Sequence, residues 1–213
     1  MKQIMKFLML TLLAISFPAF ADMQQDVADV QHAWAQANYD TTKDQQEKVF
    51  EELVKQSQAA VEAYPEHAEP KVWAAIVLST QAGVVGGFGA LGKVKEARKL
   101  LEEAEKIDAD VLDGSVYTSL GSLYYQVPGW PIGFGNDDKA EQYLQKALLV
   151  NPEGIDPNYF YGDFMLEEGK PQMAVKYLEK AMDAPARPKR PLADEGRKRE
   201  IAAKLYKAKA QIN

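Results

Sequence analysis

The stretch DGSVYTSLGSLYYQVPGWPIGFGNDDKAEQYLQKALLVNP, residues 113–152, reads as a helix, a tight apolar loop and a second helix. The second helix shares its residue spacing with VKEARKLLEEAEKID from Val94 and PQMAVKYLEKAMDAP from Pro171. Each segment has Ala, then Leu four residues later, then Ala three residues further: Ala97/Leu101/Ala104, Ala140/Leu144/Ala147 and Ala174/Leu178/Ala181. This spacing places two small residues and one large residue on one helical face. Small residues let a neighbouring helix approach closely and Leu fills the remaining gap, so the sequence predicts three helix pairs in one register.

The spacing between units divides the chain into repeats. Ala140 and Ala174 are 34 residues apart, a period typical of stacked helix pairs. Measured against that period, the first unit carries eight extra residues between its helices and the second carries seven. The predicted organisation is a signal peptide at 1–21, a degenerate helix pair at 22–69, three repeats at 70–109, 113–152 and 155–186, and a proline-rich connector with a charged capping helix at 187–213.

Residues 70–186 resemble the tetratricopeptide repeat family, and the resemblance extends more loosely from Asp26. It implies an all-α, right-handed helical solenoid of three to four helix pairs with a C-terminal capping helix, used as a binding scaffold. A narrower similarity runs from LDGSVYTSLGSLYY, which starts at Leu112, through the glycine-rich loop into DDKAEQYLQKAL. This part looks like the T-component family, tetratricopeptide proteins associated with the periplasmic substrate-binding proteins of TRAP transporters.

The first residues, MKQIMKFLMLTLLAISFPAFAD, predict export from the cytoplasm. Lys2 and Lys6 precede an apolar run over 7–17, and an Ala-x-Ala cleavage site ends at Ala21. The run is too short to span a bilayer, which needs about twenty apolar residues, and no later stretch approaches that length. With no cysteine in the chain, a lipid-modified Cys, a disulfide and a thiolate metal site are excluded. We expect a periplasmic protein without stable membrane insertion, and secretion is the alternative.

The mature chain is acidic as a whole, whereas its last residues are basic. Without residues 1–21 the chain has 23 Lys and Arg against 31 Asp and Glu, a formal charge of −8. This balance disfavours nucleic acid and anionic membrane as partners. The last 27 residues are basic, and a solvated terminal helix is the simplest interpretation. Their cations are Arg187, Lys189, Arg190, Arg197, Lys198, Arg199, Lys204, Lys207 and Lys209.

Two glycine-rich apolar segments, GVVGGFGALGK from Gly83 and VPGWPIGFGND from Val127, each hold a Phe-Gly pair before a second helix, at Phe88 and Phe134. As long loops at equivalent places in adjacent repeats, they should be neighbours. They bury their apolar surface against each other, or they form a binding surface with Trp130 as its anchor, because Trp is enriched at binding hot spots. The first segment also satisfies G-x-G-x-x-G, but no strand pattern follows it and Val94 replaces the P-loop Ser or Thr. We therefore interpret it as a glycine-rich bend and predict no nucleotide cofactor.

The first helices of the repeats should line an inner groove. The candidate binding residues there are Lys71, Tyr125, Gln126, Tyr159 and Asp163. The positions expected to face solvent are Lys71, Leu78, Gln81, Ser115, Thr118, Ser122, Tyr125, Gln126, Asp156, Tyr159, Asp163 and Glu167. The resulting groove is polar, aromatic and rather acidic, so it favours a neutral or basic peptide.

No residue set predicts a reaction or a metal site. His32 and His67 are far apart in sequence, and neither has a partner at zinc-ligand spacing. We expect a non-catalytic scaffold or adaptor for an envelope protein. The alternative is a small-molecule binding or relay protein beside a TRAP-type transporter, with the two apolar loops as its pocket. Trp130 exposed beside Phe88 would favour the small-molecule protein, whereas Trp130 and Phe134 packed in the core would favour the adaptor.

Overall fold

The chain folds into α-helices throughout the part that this computed structural model describes, residues 16–212, with side chains from residue 22 onward except that of Phe88. Within that range the chain forms nine helices and no strand, so the all-α prediction is confirmed. They are α1 (Ser16–Tyr39), α2 (Lys43–Ala63), α3 (Ala68–Val85), α4 (Gly87–Ile107), α5 (Val111–Gln126), α6 (Asp137–Val150), α7 (Ile155–Glu167), α8 (Pro171–Met182) and α9 (Pro191–Ala210).

The structure describes only the last part of the predicted signal peptide, next to the predicted cleavage site. Residues 1–15 of the predicted signal peptide lie outside the described residues, and α1 carries the backbone past Ala21 as helix. Cleavage after Ala21 therefore stays a prediction. None of the helices among the described residues is long and apolar enough to cross a membrane.

The helices pack as consecutive pairs, α3 with α4, α5 with α6 and α7 with α8. All nine residues of the three Ala/Leu/Ala sets are fully buried. The glycines of the preceding helices receive the leucines: a Cβ on Gly121 would lie 2.6 Å from Leu144 Cγ, and one on Gly162 would lie 2.8 Å from Leu178 Cγ. In the second and third pairs, the repeated spacing therefore corresponds to one repeated contact, Leu on Gly, that brings the paired helices close together.

Helix α3 is enclosed on every side, because it packs against α1, α2, α4 and α5. Its sequence is apolar around most of its circumference, which is typical of a fully buried helix. Lys71, Leu78 and Gln81 are accordingly buried. The expectation that these three residues face solvent was wrong, because α3 packs among four helices: Lys71 pairs with Glu103 of α4 and Leu78 belongs to the main core.

The first predicted insertion is not a loop. Helix α3 continues to Val85 and α4 begins at Gly87, so only Gly86 separates them. Gly86 has φ +65° and Gly87 has φ +58°, left-handed values that glycine adopts without a steric penalty. The extra residues therefore lengthen both helices around a minimal turn, and the expected long glycine-rich bend was wrong. The second insertion does form a loop, Val127–Asn136, called here the Trp130 loop.

The C-terminal helix joins the two ends of the chain. Helix α9 packs against α8 and α7, and it also contacts α1. Ala193 belongs to the apolar cluster of Met23, Val27 and Trp34, whereas Ile201 belongs to the main core. The expectation of a solvated terminal helix was wrong, because α9 buries apolar residues in both clusters. Four of its basic residues, Arg197, Arg199, Lys204 and Lys209, take part in ion pairs.

Gly196 is the closest contact between α9 and α1. A Cβ there would lie 2.3 Å from Tyr39 Cγ, so Gly196→Ala forces the two helices apart. We expect this substitution to lower the free energy of unfolding by about 1–3 kcal/mol, although Ala is the better helix former. Urea unfolding followed by circular dichroism measures the change. Gly92→Ala in α4 is the control, because its Cβ would meet open space and should be neutral or stabilising.

Candidate functional site

Tyr125, Gln126 and Asp163 of the predicted groove bond to one another. The Tyr125 hydroxyl donates to Asp163 Oδ2 over 2.9 Å, and Gln126 Nε2 donates to the Tyr125 oxygen over 3.0 Å. Lys204 of α9 places its Nζ 2.5 Å from Asp163 Oδ1. Burial, and secondarily the Asp163 carboxylate, raise the pKa of Tyr125 well above its usual range. These side chains therefore fasten α5, α7 and α9 together, and only Gln126 is exposed.

Tyr159 is buried beneath α9 as well. The Arg197 guanidinium lies 4.4 Å from the centre of its ring, a cation–π contact. Burial raises the pKa of Tyr159 above its ordinary value, against the lowering effect of Arg197. Lys71 is also buried, with Nζ 3.3 Å from Glu103 Oε2. Of the five predicted groove residues, four are thus engaged in the interior.

A network of arginines and carboxylates anchors α9 and the connector before it. Asp156 accepts a hydrogen bond from Arg187 Nη1 at 2.6 Å and from Arg197 Nε at 2.9 Å. Asp194 accepts from the Arg187 backbone N–H at 2.7 Å and from its Nε at 2.6 Å. Despite burial, which acts the other way, the arginines hold the pKa of Asp156 well below its usual range. The α7 N-terminus and the C-terminal segment are therefore joined by charge-assisted hydrogen bonds.

A cavity of about 370 Å³ lies between this network and the first helices; we call it the connector cavity. Its apolar wall comprises Trp73, Leu112, Ile155, Pro157 and Pro185. Its polar lining comprises Gln31, Asp113, Ser115, Thr118, Asn151, Glu153, Asp156, Arg187 and Arg190, with Gly154 and Ala186 completing it. The volume is at the small end of the range for ligand sites, about 300–1,000 Å³.

Arg190 differs from the other arginines at the connector cavity. Its guanidinium carbon lies 4.9 Å from the centre of the Trp73 ring. Its Nε is buried without a hydrogen-bond partner, and no carboxylate among the described residues lies within ion-pair distance of it. Desolvation lowers the pKa of Arg190, outweighing the more distant Asp156. The connector cavity thus contains a cation whose hydrogen-bonding capacity is not used within the protein.

Part of the connector cavity lining has an unusual backbone. Leu112, Asp113 and Gly114 have φ values of 53°, 56° and 75°, in the left-handed region. Glycine accepts this conformation readily, but the two other residues are strained in it by about 1–3 kcal/mol each. Strained backbone of this kind clusters at functional sites, where the surrounding structure holds it in place.

The Trp130 loop presents its tip to solvent while its base packs on the protein. Trp130 is 90% exposed and Ile132 is 65% exposed. Phe134 packs against the ring of Tyr124, with centroids 5.8 Å apart, and lies 4.4 Å from the Arg98 guanidinium. The Asn136 backbone N–H donates to Tyr124 O at 2.8 Å, and Asn136 Oδ1 caps α6 by accepting from the Lys139 backbone N–H. The loop is therefore held at its base with an apolar tip.

The two sequence-based tests of function give a divided result. Trp130 is exposed, as the small-molecule interpretation required, whereas Phe134 is packed against the core, as the adaptor interpretation required. Phe88 lies in the first turn of α4, and its side chain is outside the described part of the chain. Neither test is met in full.

Sequence reasoning did not identify the connector cavity. In the sequence, Arg187 and Arg190 belong only to a basic C-terminal segment, and neither Trp73 nor Leu112 carries a signal for a site. A proline-stiffened connector with three cations, PARPKRP, was the available indication that this segment packs rather than extends. Among the described residues, no cluster of His, Asp and Glu could hold a metal ion. The His32 ring Nε2 lies 2.9 Å from the backbone oxygen of Lys189, a contact with the connector.

The geometry therefore offers two candidate sites, an exposed apolar loop tip and a cavity with one unpaired cation. Comparison with known proteins adds no assignment: no protein-family model matches this chain, and the search of curated proteins finds no significant match.

Proposed function

We propose that this chain is an exported, non-catalytic scaffold or adaptor that binds another protein of the cell envelope. Its framework in this proposal is a tetratricopeptide-like, right-handed solenoid of three to four helix pairs with α9 as the capping helix. The observation that carries the proposal is the exposed apolar tip of the Trp130 loop. Exposure of Trp130 was expected to favour the small-molecule protein where it lines a pocket beside Phe88; at the tip of a loop whose base is packed through Phe134 on Tyr124, it offers an apolar contact surface instead. The predicted signal peptide supports a periplasmic location, with secretion as the alternative.

The Trp130 loop suits protein recognition for two reasons. An exposed Trp and Ile side by side lose contact with water when a partner covers them, and Trp is enriched among residues that dominate binding energy. The loop base is already ordered by Phe134 and Asn136, so binding would cost less conformational entropy than ordering a free loop. A protruding tip fits a recess on a partner better than it encloses a small molecule.

The residues of the predicted groove are less suited than the Trp130 loop to contact a partner protein. Tyr125, Tyr159, Lys71 and Asp163 already have partners within the chain, and α9 contributes two of those partners, Arg197 and Lys204. A peptide in the groove would have to displace buried ion pairs, which is costly. We therefore assign these four residues to the framework, and Gln126 remains exposed beside them.

Trp130→Ala is expected to abolish capture of a partner without unfolding the protein. Removing a hot-spot Trp costs about 2 kcal/mol or more of binding energy, a loss of about thirtyfold in affinity. The measurement is affinity capture from envelope extract, followed by calorimetry with the identified partner once it is purified. Leu149→Ala on α6 is the matched control, since Leu149 is also an exposed apolar residue but lies outside the loop. Equal affinity of the two variants for that partner would contradict the adaptor proposal.

The second candidate function is binding or relay of a small molecule beside a TRAP-type transporter. The observation in its favour is the connector cavity, with its apolar wall and its arginine. This differs from the predicted pocket between the two glycine-rich segments, because one of those segments is absorbed into α3 and α4. Retention of a small molecule by the purified protein, with no effect of Trp130→Ala, would favour this function over the adaptor.

A further inference from the structure

We propose that the connector cavity binds a small carboxylate with a compact apolar body, held through Arg190. The proposal deepens the second candidate function and rests on it, and it does not involve the Trp130 loop. Four features of the connector cavity carry the proposal: the Arg190 guanidinium without an ion-pair partner, the apolar wall, the carboxylates already paired with cations, and the strained backbone at Leu112 and Asp113.

Arg190 supplies the charge that the ligand must match. Its neighbour Arg187 is satisfied by Asp156 and Asp194, whereas Arg190 has only the Trp73 ring and a buried Nε without a partner. Arg190 is half-buried, and a buried Nε without a hydrogen-bond partner is destabilising, a penalty that a nearby anion reduces. A carboxylate matches the fork of a guanidinium with two parallel hydrogen bonds. The Trp73 contact keeps the planar group in one orientation.

The acidic residues of the connector cavity repel a bound anion only weakly, because nearby cations or water offset their charges. Both oxygens of Asp156 accept hydrogen bonds from arginines, and Glu153 lies 2.9 Å from Lys180 Nζ. Asp113 is exposed to water, where solvent screens its charge. Helix α7 also begins at the connector cavity, so the positive end of its dipole faces the same space. The unbalanced charge within reach of a bound ligand is therefore that of Arg190.

The rest of the connector cavity selects the ligand body. Trp73, Leu112, Ile155, Pro157 and Pro185 form an apolar wall that a hydrated inorganic anion would leave unfilled. A volume of about 370 Å³ admits a body the size of one aromatic ring and excludes lipids and peptides. Leu112 is held in this wall by a left-handed backbone, which is evidence that the wall is maintained at the cost of local strain. The ligand class is thus a small apolar monocarboxylate.

Benzoate, benzamide and inorganic phosphate are the probes that separate charge from shape. Each is titrated into the purified protein while isothermal calorimetry gives affinity and NMR follows the Trp73 indole N–H and the Arg190 Nε–H. We expect benzoate to bind and to shift both signals. Benzamide, which has the same shape without charge, and phosphate, which has charge without an apolar body, should each bind at least about tenfold more weakly.

Arg190→Gln is expected to weaken benzoate binding at least about tenfold. Arg199→Gln, an exposed arginine on α9 outside the connector cavity, should change the affinity less than about twofold. If Arg190→Gln fails to fold, Arg190→Lys replaces it and should still lose affinity, because Lys cannot form the bidentate contact.

Three results would overturn this proposal: no benzoate binding up to about 10 mM, benzamide or phosphate binding as tightly as benzoate, or equal affinity in the Arg190 and Arg199 variants. Failure here is separable from failure of the adaptor function. Partner capture depends on Trp130 and should persist in Arg190→Gln.

Discussion

Asp156→Asn is expected to lower the free energy of unfolding by about 3–5 kcal/mol. The substitution removes the negative charge between Arg187 and Arg197 and turns an amide N–H₂ toward one of them. The substitution leaves Arg187 with only Asp194 and Arg197 with only Glu200, so this partly buried cluster holds one uncompensated positive charge, which costs far more than the pair itself contributes. Urea unfolding at pH 7 measures the loss. Because Asp156 binds both the connector and α9, we expect the C-terminal segment to detach first, seen as faster amide exchange in α9.

Glu195→Gln is the control for this substitution. Glu195 pairs with Arg199 on the same helix, but both side chains are more than half exposed. An exposed pair of this kind contributes little, so the control should remain within about 0.5 kcal/mol of the unsubstituted protein. A similar loss from both variants would mean that the buried network is not what anchors α9.

The pH dependence provides an independent check of the role of Asp156. Its folded-state pKa is depressed by the arginines, whereas an unfolded Asp has a pKa of about 3.9. The stabilisation is therefore fully present above about pH 5 and is lost as pH falls through 3.9 toward the folded pKa. Asn cannot titrate, so the stability difference between the protein and its Asp156→Asn variant should shrink as pH is lowered from 5 to 3. A difference independent of pH would assign the loss to packing.

Leu144→Ala is expected to cost about 2–5 kcal/mol, because it removes a fully buried side chain at the contact between α5 and α6. Gly121→Ala alone should cost about 1–3 kcal/mol, since its Cβ would lie 2.6 Å from Leu144 Cγ. In the double variant the new methyl enters the space that Leu144 vacates. The double variant should therefore be more stable than the sum of the single losses implies, with a coupling energy of about 1 kcal/mol or more.

A double-mutant cycle by urea unfolding tests this coupling between the two helices. Pairing Gly121→Ala with Leu178→Ala gives the matched control, because Leu178 contacts Gly162 in the next helix pair. That combination should be additive, since the two substitutions share no contact. Additive losses in both cycles would contradict a direct contact between Leu144 and Gly121.

The Ala/Leu/Ala sets lie on buried helix faces as predicted, because their spacing depends only on helical geometry. Ala140, Leu144 and Ala147 fall on one face of any α-helix, and a face with that composition has to be buried. Pro171 likewise marks a local helix start, because proline lacks the N–H that would be unpaired in the first turn. These features follow from neighbours along the chain.

The predictions that failed concern surfaces that distant segments cover. Gln81 seemed exposed because the repeat register leaves that helix face free, but α3 packs against four other helices and Gln81 is buried. Arg197 seemed to belong to a solvated tail, yet it lies over Tyr159 and bonds to Asp156, 41 residues earlier in the chain. The glycine run from Gly83 seemed a loop because glycine breaks helices, whereas two left-handed glycines suffice for the turn. No local pattern encodes these contacts.

The sequence alone determines that this chain is helical and that the Ala/Leu/Ala faces are buried, because periodicity acts over a few residues. Only the tertiary structure decides that α9 returns to α1, that Tyr125, Tyr159 and Asp163 have partners within the chain, and that Trp73 and Arg190 share a cavity. Those outcomes depend on which distant surfaces bury the most apolar area and pair the most charges, quantities that exist only once the helices are packed.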